Sequence, residues 1–214
     1  MYKLDTEMAE FCGVIMGDGN LWSNGRKYEV TITGSPKDRN YSDGIAQYAR
    51  RCIKPNVYYR QRGRGLRLTI YSKEFYHFLT KRLGIKGGRG KCECTIPKDI
   101  AKSRALKFAF IRGFFDTDGS IFTSMKKGVE RYPTMEITNE NISLLLQIRD
   151  ILEAEGFRTT VRKSNTNTFK IAIHGNAMVK RWSELIASSH PRKMAKMESV
   201  IKGFSIKENH HKPQ

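Results

Sequence analysis

The same series of sequence signals occurs twice in this chain, about 100 residues apart. In each copy an apolar helical stretch ends in an Asp-Gly pair, first at Asp18-Gly19 and later at Asp118-Gly119. A short apolar segment, a polar loop and a strand with alternating polarity follow, over 28–33 and 134–138. Such a repeat predicts a pseudo-twofold molecule in which each copy stands for one subunit of a dimer.

Each copy continues with a helix, a hairpin and a closing helix, so the predicted fold class is α+β. It consists of two pseudo-symmetric αββαββα repeats that form a saddle with antiparallel sheets. The predicted helices are 7–17, 38–51 and 72–83 in the first copy and 104–117, 140–155 and 175–188 in the second, with hairpins at 57–71 and 158–173. The predicted divisions are a first repeat at 1–84, a linker at 85–103, a second repeat at 104–189 and a C-terminal extension at 190–214.

The C-terminal extension contains apolar residues at helical spacing, namely Met194, Met197, Val200 and Ile201. This spacing predicts an amphipathic helix that packs against the rest of the protein.

Charge indicates the class of partner. Lys and Arg number 39 against 21 Asp and Glu, which gives a formal net charge of +18 at pH 7. An excess of this size favours binding to polyanions, of which nucleic acid is the commonest, although ribosomal and membrane-surface proteins are also basic. No stretch reaches the roughly 18 apolar residues of a membrane span, and no secretory signal is expected. A cytoplasmic protein, or an organellar one in a eukaryotic host, is therefore expected.

The four cysteines, Cys12, Cys52, Cys92 and Cys94, do not predict a zinc site. Cys92 and Cys94 are separated by one residue, which is fewer than a zinc knuckle uses, and no second pair follows them. In a reducing compartment all four are expected to be free thiols.

The two helix ends have the residues that close contact and metal binding require. Gly13 and Gly17 lie four apart on one predicted helix, and Gly113 and Thr117 do so on the other. Small residues at this spacing allow two helix backbones to approach closely. Asp18 and Asp118 would then meet at the negative ends of both helix dipoles, where a cation must offset their charge. Paired carboxylates of this kind favour Mg²⁺.

The segments 11–19 (FCGVIMGDG) and 111–119 (IRGFFDTDG) resemble the nine-residue motif of the LAGLIDADG homing endonucleases. Gly, Asp and Gly occupy the third, eighth and ninth positions in both copies, and the resemblance covers roughly residues 7–188. It implies a monomeric, double-motif enzyme, encoded by an intron, that needs no protein partner. The implied reaction is metal-dependent cleavage of both strands of a long, asymmetric DNA duplex, leaving 3′ overhangs. Two or three Mg²⁺ ions are expected, with Mn²⁺ as a substitute.

The resemblance also implies site residues. Asp18 and Asp118 are expected to bind the metal, with the carbonyl groups of Gly17 and Thr117 as further ligands. Lys73 matches a position where the family often has a lysine near the cleavage centre. Asn139 matches a position for a water-holding polar residue, and both are included as catalytic candidates. Asp116 is left out of the metal site because its counterpart in the first copy is Met16.

A polar, basic sheet surface is expected to read the DNA major groove. The apolar residues of each hairpin should pack under helices, which leaves the alternate residues on the outer face. Arginines there can recognise guanine, and other basic residues can hold phosphates. The candidate DNA-binding residues are Thr31, Thr33, Arg60, Arg62, Arg64, Arg67, Thr69, Glu136, Thr138, Arg158, Arg162 and Lys170.

A non-cleaving nucleic-acid binder of the same fold is the alternative function. Such a protein could act as an RNA-splicing maturase or as a DNA-binding regulator. The acidic residue is intact in both copies, which favours cleavage but does not exclude an additional RNA role. Cutting in the presence of Mg²⁺ separates the two functions.

Overall fold

A computed structural model describes residues 2–53, 56–63, 65–87, 94–126, 129–164 and 166–209. The first helix of the first repeat is capped at its N-terminus by Asp5, whose Oδ1 atom accepts a hydrogen bond from the Met8 amide at 3.0 Å. A 3-10 turn at Pro36–Asp38 precedes its second helix, and a π-helical turn at Phe78–Arg82 continues its third helix. The elements are α1 (Thr6–Asp18), β1 (Gly19–Ser23), β2 (Tyr28–Gly34), α2 (Arg39–Ile53), β3 (Val57–Arg62), β4 (Gly65–Tyr71) and α3 (Lys73–His77).

The second repeat has the same order of elements, and a short helix precedes it. That helix, α4 (Lys98–Ala101), lies in the predicted linker, of which residues 88–93 are outside the described part of the chain. A final helix follows the repeat. The elements are α5 (Arg104–Asp118), β5 (Gly119–Lys126), β6 (Val129–Asn139), α6 (Ile142–Ala154), β7 (Thr159–Lys163), β8 (Phe169–His174), α7 (Asn176–Leu185) and α8 (Pro191–Asn209).

Each repeat forms one antiparallel sheet of four strands. The strand order is β1-β2-β4-β3 in the first sheet and β5-β6-β8-β7 in the second. The register is equivalent in the two sheets, since Gly19 pairs with Ile32 and Gly119 pairs with Ile137. The predicted α+β fold with two equivalent repeats is confirmed. Strand β6 is longer than predicted because it pairs with both β5 and β8.

The two repeats are joined through α1 and α5, whose backbones are in direct contact. A Cβ atom on Gly13 would overlap the carbonyl oxygen of Phe110, and one on Gly113 would overlap that of Glu10. A Cβ atom on Gly17 would overlap the side chain of Thr117. The close helix contact predicted from the spacing of small residues is therefore present.

Gly19 and Gly119 differ from the prediction of a left-handed residue after each helix. Both are extended, with φ of −85° and −93°. Glycine is required there because a Cβ atom would overlap the carbonyl oxygen of Ile15 in the first repeat and of Phe115 in the second. The chain thus passes directly from each motif helix into the first strand of its sheet.

One hydrophobic core extends through both repeats. The inner faces of the sheets contribute alternate residues to it, for example Leu66, Leu68 and Ile70 of β4. Helix α8 adds Met197, which is buried as the helical spacing predicted, whereas Met194 is exposed. Within the described residues, no helix is long and apolar enough to cross a membrane.

Candidate active site

Asp18 and Asp118 end the two helices that pack against each other. Asp18 is exposed and Asp118 is half-buried. A Cβ atom on Gly17 would lie 3.4 Å from Cγ of Asp118, which places that carboxylate against the end of the opposite helix. Since β1 and β5 begin at the next residue of each repeat, the carboxylates also mark the point where both sheets start. The structure therefore brings the two predicted metal-binding side chains together.

Asn139 holds the Asp118 carboxylate in place. Its Nδ2 atom donates a hydrogen bond to Oδ2 of Asp118 at 2.5 Å. Its Oδ1 atom accepts a hydrogen bond from the amide of Asn141 at 2.8 Å, so the orientation of the Asn139 amide is fixed. The prediction placed Asn139 near the centre to hold water; the structure places it there and adds this contact with Asp118.

The surroundings of Asp18 are different. Gly34 occupies the position equivalent to Asn139, and a Cβ atom there would come within 2.5 Å of the Ser42 hydroxyl oxygen. Asp18 instead borders a cavity of about 220 Å³ whose lining includes Asp38, Tyr41 and His190. Among the described residues, four buried atoms at this cavity lack a hydrogen-bond partner, namely Asp38 Oδ1, Tyr41 OH, Tyr59 OH and His190 Nδ1. A polar cavity of this size can hold several water molecules.

The donor set fits a magnesium ion that is shared with a phosphate. No group of three or more His, Cys, Asp or Glu side chains suited to a metal occurs within the described ranges. Mg²⁺ is commonly held by one or two carboxylates, with phosphate oxygens and water completing its shell. Asp18 and Asp118 match that pattern, and the carbonyl groups of Gly17 and Thr117 remain predicted ligands. The Thr117 hydroxyl is used within its helix, where it donates to the Phe114 carbonyl at 2.9 Å.

Lys73 is not at this site, contrary to its predicted place near the cleavage centre. It starts α3, and its Nζ atom lies 5.7 Å from the centroid of the Tyr28 ring. In β2, Glu29 pairs with Tyr71 near this end, whereas Ile32 pairs with Gly19 next to Asp18. Three residues of strand correspond to roughly 10 Å. The length of β2 therefore separates Lys73 from the carboxylates.

A different lysine, Lys193 of α8, borders the same cavity as Asp18 and contacts the helix that ends in Asp118. Its Nζ atom donates hydrogen bonds to the carbonyl oxygens of Phe115 at 2.7 Å and Asp116 at 2.8 Å, in the last turn of α5. Sequence reasoning missed this residue. In the sequence, the C-terminal extension shows only the spacing of its apolar residues. That spacing does not indicate which part of the protein the polar side of α8 contacts.

Asp116 belongs to the protein interior rather than to the metal site. It is 3% exposed, and its carboxylate accepts hydrogen bonds from the Ser188 hydroxyl and from the Ser189 amide, the latter at 2.8 Å. Burial raises its pKa from 3.8 to about 6, although both hydrogen bonds act in the opposite direction. Its omission from the predicted metal ligands agrees with this geometry.

The raised pKa of Asp116 predicts a pH-dependent stability. Between pH 3.8 and about 6 the folded protein binds more protons at this group than the unfolded chain, so the group's contribution to stability falls as pH rises. Asn in place of Asp can accept from Ser189 and donate to Ser188 without a charge. Relative to the wild type, Asp116→Asn should therefore gain roughly 3 kcal/mol of unfolding free energy across this interval. Urea denaturation of both proteins below and above the interval measures the difference, and a constant difference would contradict it.

Most predicted DNA-binding residues lie on the polar face of a sheet. The register places Arg67 and Thr69 of β4 beside Thr33 and Thr31 of β2, and Arg162 beside Lys170 in the second sheet. The exposed members of the set are Thr33, Arg60, Arg62, Arg158 and Arg162, and the half-buried members are Arg67, Thr69, Glu136, Thr138 and Lys170. Arg64 lies outside the described residues.

Thr31 is a correction to that set. It is 3% exposed, because β2 is an inner strand and Thr31 lies between Asn20 of β1 and Thr69 of β4. Three of the charged candidates, Arg67, Glu136 and Lys170, also have partners on the same face. Arg67 Nη2 lies 3.2 Å from Glu29 Oε1, and Lys170 Nζ lies 2.5 Å from Glu136 Oε1.

Comparisons with known proteins agree with the fold. The profile of the LAGLIDADG-like domain matches residues 105–187. The chain is 28% identical over 199 residues to the replication factor C small subunit of Methanocaldococcus jannaschii, covering 92% of this chain but only 10% of that protein's length. It is also 24% identical over 191 residues to the homing endonuclease I-ApeI of Aeropyrum pernix, covering 86% of this chain and 82% of the relative.

A solved structure has the same fold. The crystal structure of I-DmoI in complex with DNA and Ca aligns with a TM-score of 0.67 and 19% identity. The alignment covers 91% of this chain and 97% of that one. The similarity therefore extends over both repeats.

Proposed function

We propose that this chain, which is similar to the LAGLIDADG-like domain over residues 105–187 and to the homing endonuclease I-ApeI, is a site-specific DNA endonuclease that cuts double-stranded DNA as a monomer. The observation that carries this proposal is the pairing of Asp18 and Asp118 at the ends of α1 and α5. Two similar proteins support a DNA substrate. I-ApeI is named as a homing endonuclease, and I-DmoI has been solved in complex with DNA. Both strands are cut in the proposed reaction, which leaves 3′ overhangs.

The two sheets would hold the DNA. Each has a polar face with exposed basic residues, such as Arg60 and Arg62 in the first and Arg162 in the second, and the exposed Arg158 immediately precedes β7. The net charge of +18 favours the duplex backbone, and the arginines can recognise guanine edges. Because the residues on the two faces differ, the target should be asymmetric. Our proposal places the scissile phosphates above the two carboxylates, between the sheets.

Divalent metal, held by Asp18 and Asp118, would supply a polarised water and stabilise the leaving oxygen during phosphodiester hydrolysis. Two or three Mg²⁺ ions are proposed, and Mn²⁺ should replace them. The chain's own contribution is orientation. Asn139 fixes the Asp118 carboxylate, and the glycine contacts between α1 and α5 set its position relative to Asp18.

The test is cleavage of a randomised library of DNA duplexes with Mg²⁺, followed by sequencing of the cut ends. We expect double-strand cuts at one family of long, asymmetric sites, with 3′ overhangs, and no cuts when a chelator removes the metal. Selective binding of DNA with no cutting under Mg²⁺ or Mn²⁺ would reject the endonuclease and favour the non-cleaving regulator or splicing cofactor.

A further inference from the structure

The segment between α7 and α8 is fixed to the second motif helix. Arg112 of α5 donates from Nη1 to the carbonyl oxygen of Ile186 at 3.1 Å and also pairs with Glu10 of α1, Nη2 to Oε2, at 2.7 Å. Four residues later on α5, Asp116 accepts hydrogen bonds from Ser188 and Ser189. The start of α8 is therefore placed by the same helix that carries Asp118.

The first repeat holds this segment from the other side. Asp38, in the turn before α2, has Oδ2 at 3.2 Å from Arg192 Nη2 and Oδ1 at 3.4 Å from His190 Nε2. The His190 ring stacks on Tyr41 of α2, with centroids 4.6 Å apart. Residues from both repeats thus fix the direction in which α8 leaves the cavity beside Asp18.

Lys193 is the side chain that this arrangement directs at the site. Two of the three N–H donors of its ammonium group go to the carbonyl oxygens of Phe115 and Asp116. Its Nζ atom lies 5.1 Å from the centroid of the Phe115 ring, and the side chain borders the same cavity as Asp18 and Thr117. Within the described structure the third donor has no hydrogen-bond partner, so it is available to an incoming acceptor.

Four carboxylates act on this ammonium group. Burial lowers the pKa of Lys193 to about 8, while the charges of Asp116, Asp118, Asp18 and Asp38 act to raise it. The charges of both metal-binding candidates thus favour the protonated form of Lys193. A cation in this position also offsets the negative end of the α5 dipole, whose own last turn has no basic residue.

We propose that α8 completes the catalytic site by placing Lys193 beside Asp18 and Asp118, where its free N–H donor binds an oxygen of the scissile phosphate. The proposal rests on the endonuclease function proposed above. The ammonium group stabilises the negative charge that develops on the phosphoryl oxygens during hydrolysis. It thus provides the cation that the sequence had suggested Lys73 would supply.

The test compares Lys193→Met and Lys193→Arg with Lys196→Met, a matched control on an exposed residue of the same helix. On a duplex recovered from the library, Lys193→Met should cut roughly a hundredfold more slowly in single turnover, with binding in Ca²⁺ within a few-fold of the wild type. Lys193→Arg, which keeps the charge, should recover part of the rate, and Lys196→Met should match the wild type. Equal rates for all four proteins would overturn the proposal.

A second measurement does not depend on cutting. The positive charge of Lys193 opposes metal binding at the carboxylates in the absence of DNA, so Lys193→Met should bind Mn²⁺ roughly tenfold more tightly in electron paramagnetic resonance titrations. Unchanged Mn²⁺ affinity would show that Lys193 only anchors α8. If Lys193→Met does not fold, Lys193→Gln, which keeps one donor site without the charge, takes its place. A wild type that cuts nothing would reject the proposed function, while the shift in Mn²⁺ affinity would still decide where the charge of Lys193 acts.

Discussion

Replacing Asp18 or Asp118 with asparagine should reduce cleavage of the recovered DNA target by roughly a thousandfold or more. The amide is neutral and therefore a much weaker ligand for a hard divalent ion. At Asp118 the geometry makes the loss larger. The amide of Asn139 is held by Asn141, so the new side chain must turn its oxygen towards Asn139 Nδ2 and its nitrogen, which cannot coordinate, towards the metal.

Single-turnover cleavage and target binding should both be measured for each variant. Binding in Ca²⁺ should change by less than the cleavage rate, because the sheet faces remain intact. Asp150→Asn is the matched control, since Asp150 is exposed on α6, away from the helix ends. Cleavage at the wild-type rate by both variants would show that these carboxylates do not bind the catalytic metal.

Replacing Gly113 with alanine should lower the free energy of unfolding by roughly 3 kcal/mol, the cost of overpacking at a rigid contact. The added Cβ atom would overlap the carbonyl oxygen of Glu10 and would lie 3.1 Å from the amide nitrogen of Val14. Both neighbours are backbone atoms of α1, so no side-chain rotation can relieve the contact. The two helices must move apart, and with them the two halves of the core.

Gly44→Ala provides the matched control for this substitution. Gly44 lies on the exposed side of α2, and a Cβ atom there would meet nothing within 4 Å. Alanine favours a helix interior over glycine by roughly 1 kcal/mol, so this variant should be slightly more stable than the wild type. Urea denaturation followed by far-ultraviolet circular dichroism compares the two. Equal stability of the two variants would mean that the contact between α1 and α5 is not tight.

The sequence predicted the elements well because each depends on neighbouring residues. The helix spacing of Gly13 and Gly17 predicted the contact that the structure shows, and the alternation in β4 predicted which residues face the core. The local sequence pattern did not predict the backbone conformation of Gly19 and Gly119. Both follow helix ends, but glycine is required there by contact with a backbone carbonyl and not by a left-handed conformation.

Predictions for single side chains failed where their position depended on several strands. Lys73 follows β4, and only the register of β1, β2 and β4 shows that it lies at the end away from Asp18. Thr31 lies on the face of β2 opposite the core residues, as its alternation with them predicts. It is nevertheless buried, because its neighbours on the two flanking strands cover it.

The sequence by itself determined that the molecule has two equivalent halves and that each contributes one carboxylate at a helix end. It could do so because a repeat and its spacing are properties of local segments. Only the tertiary structure decided which cation accompanies the carboxylates. Lys193 is 75 residues from Asp118 in the chain, and its place depends on contacts of α8 with α5 and with the turn at Asp38. No periodicity encodes such contacts, because they arise when rigid elements from both halves pack together.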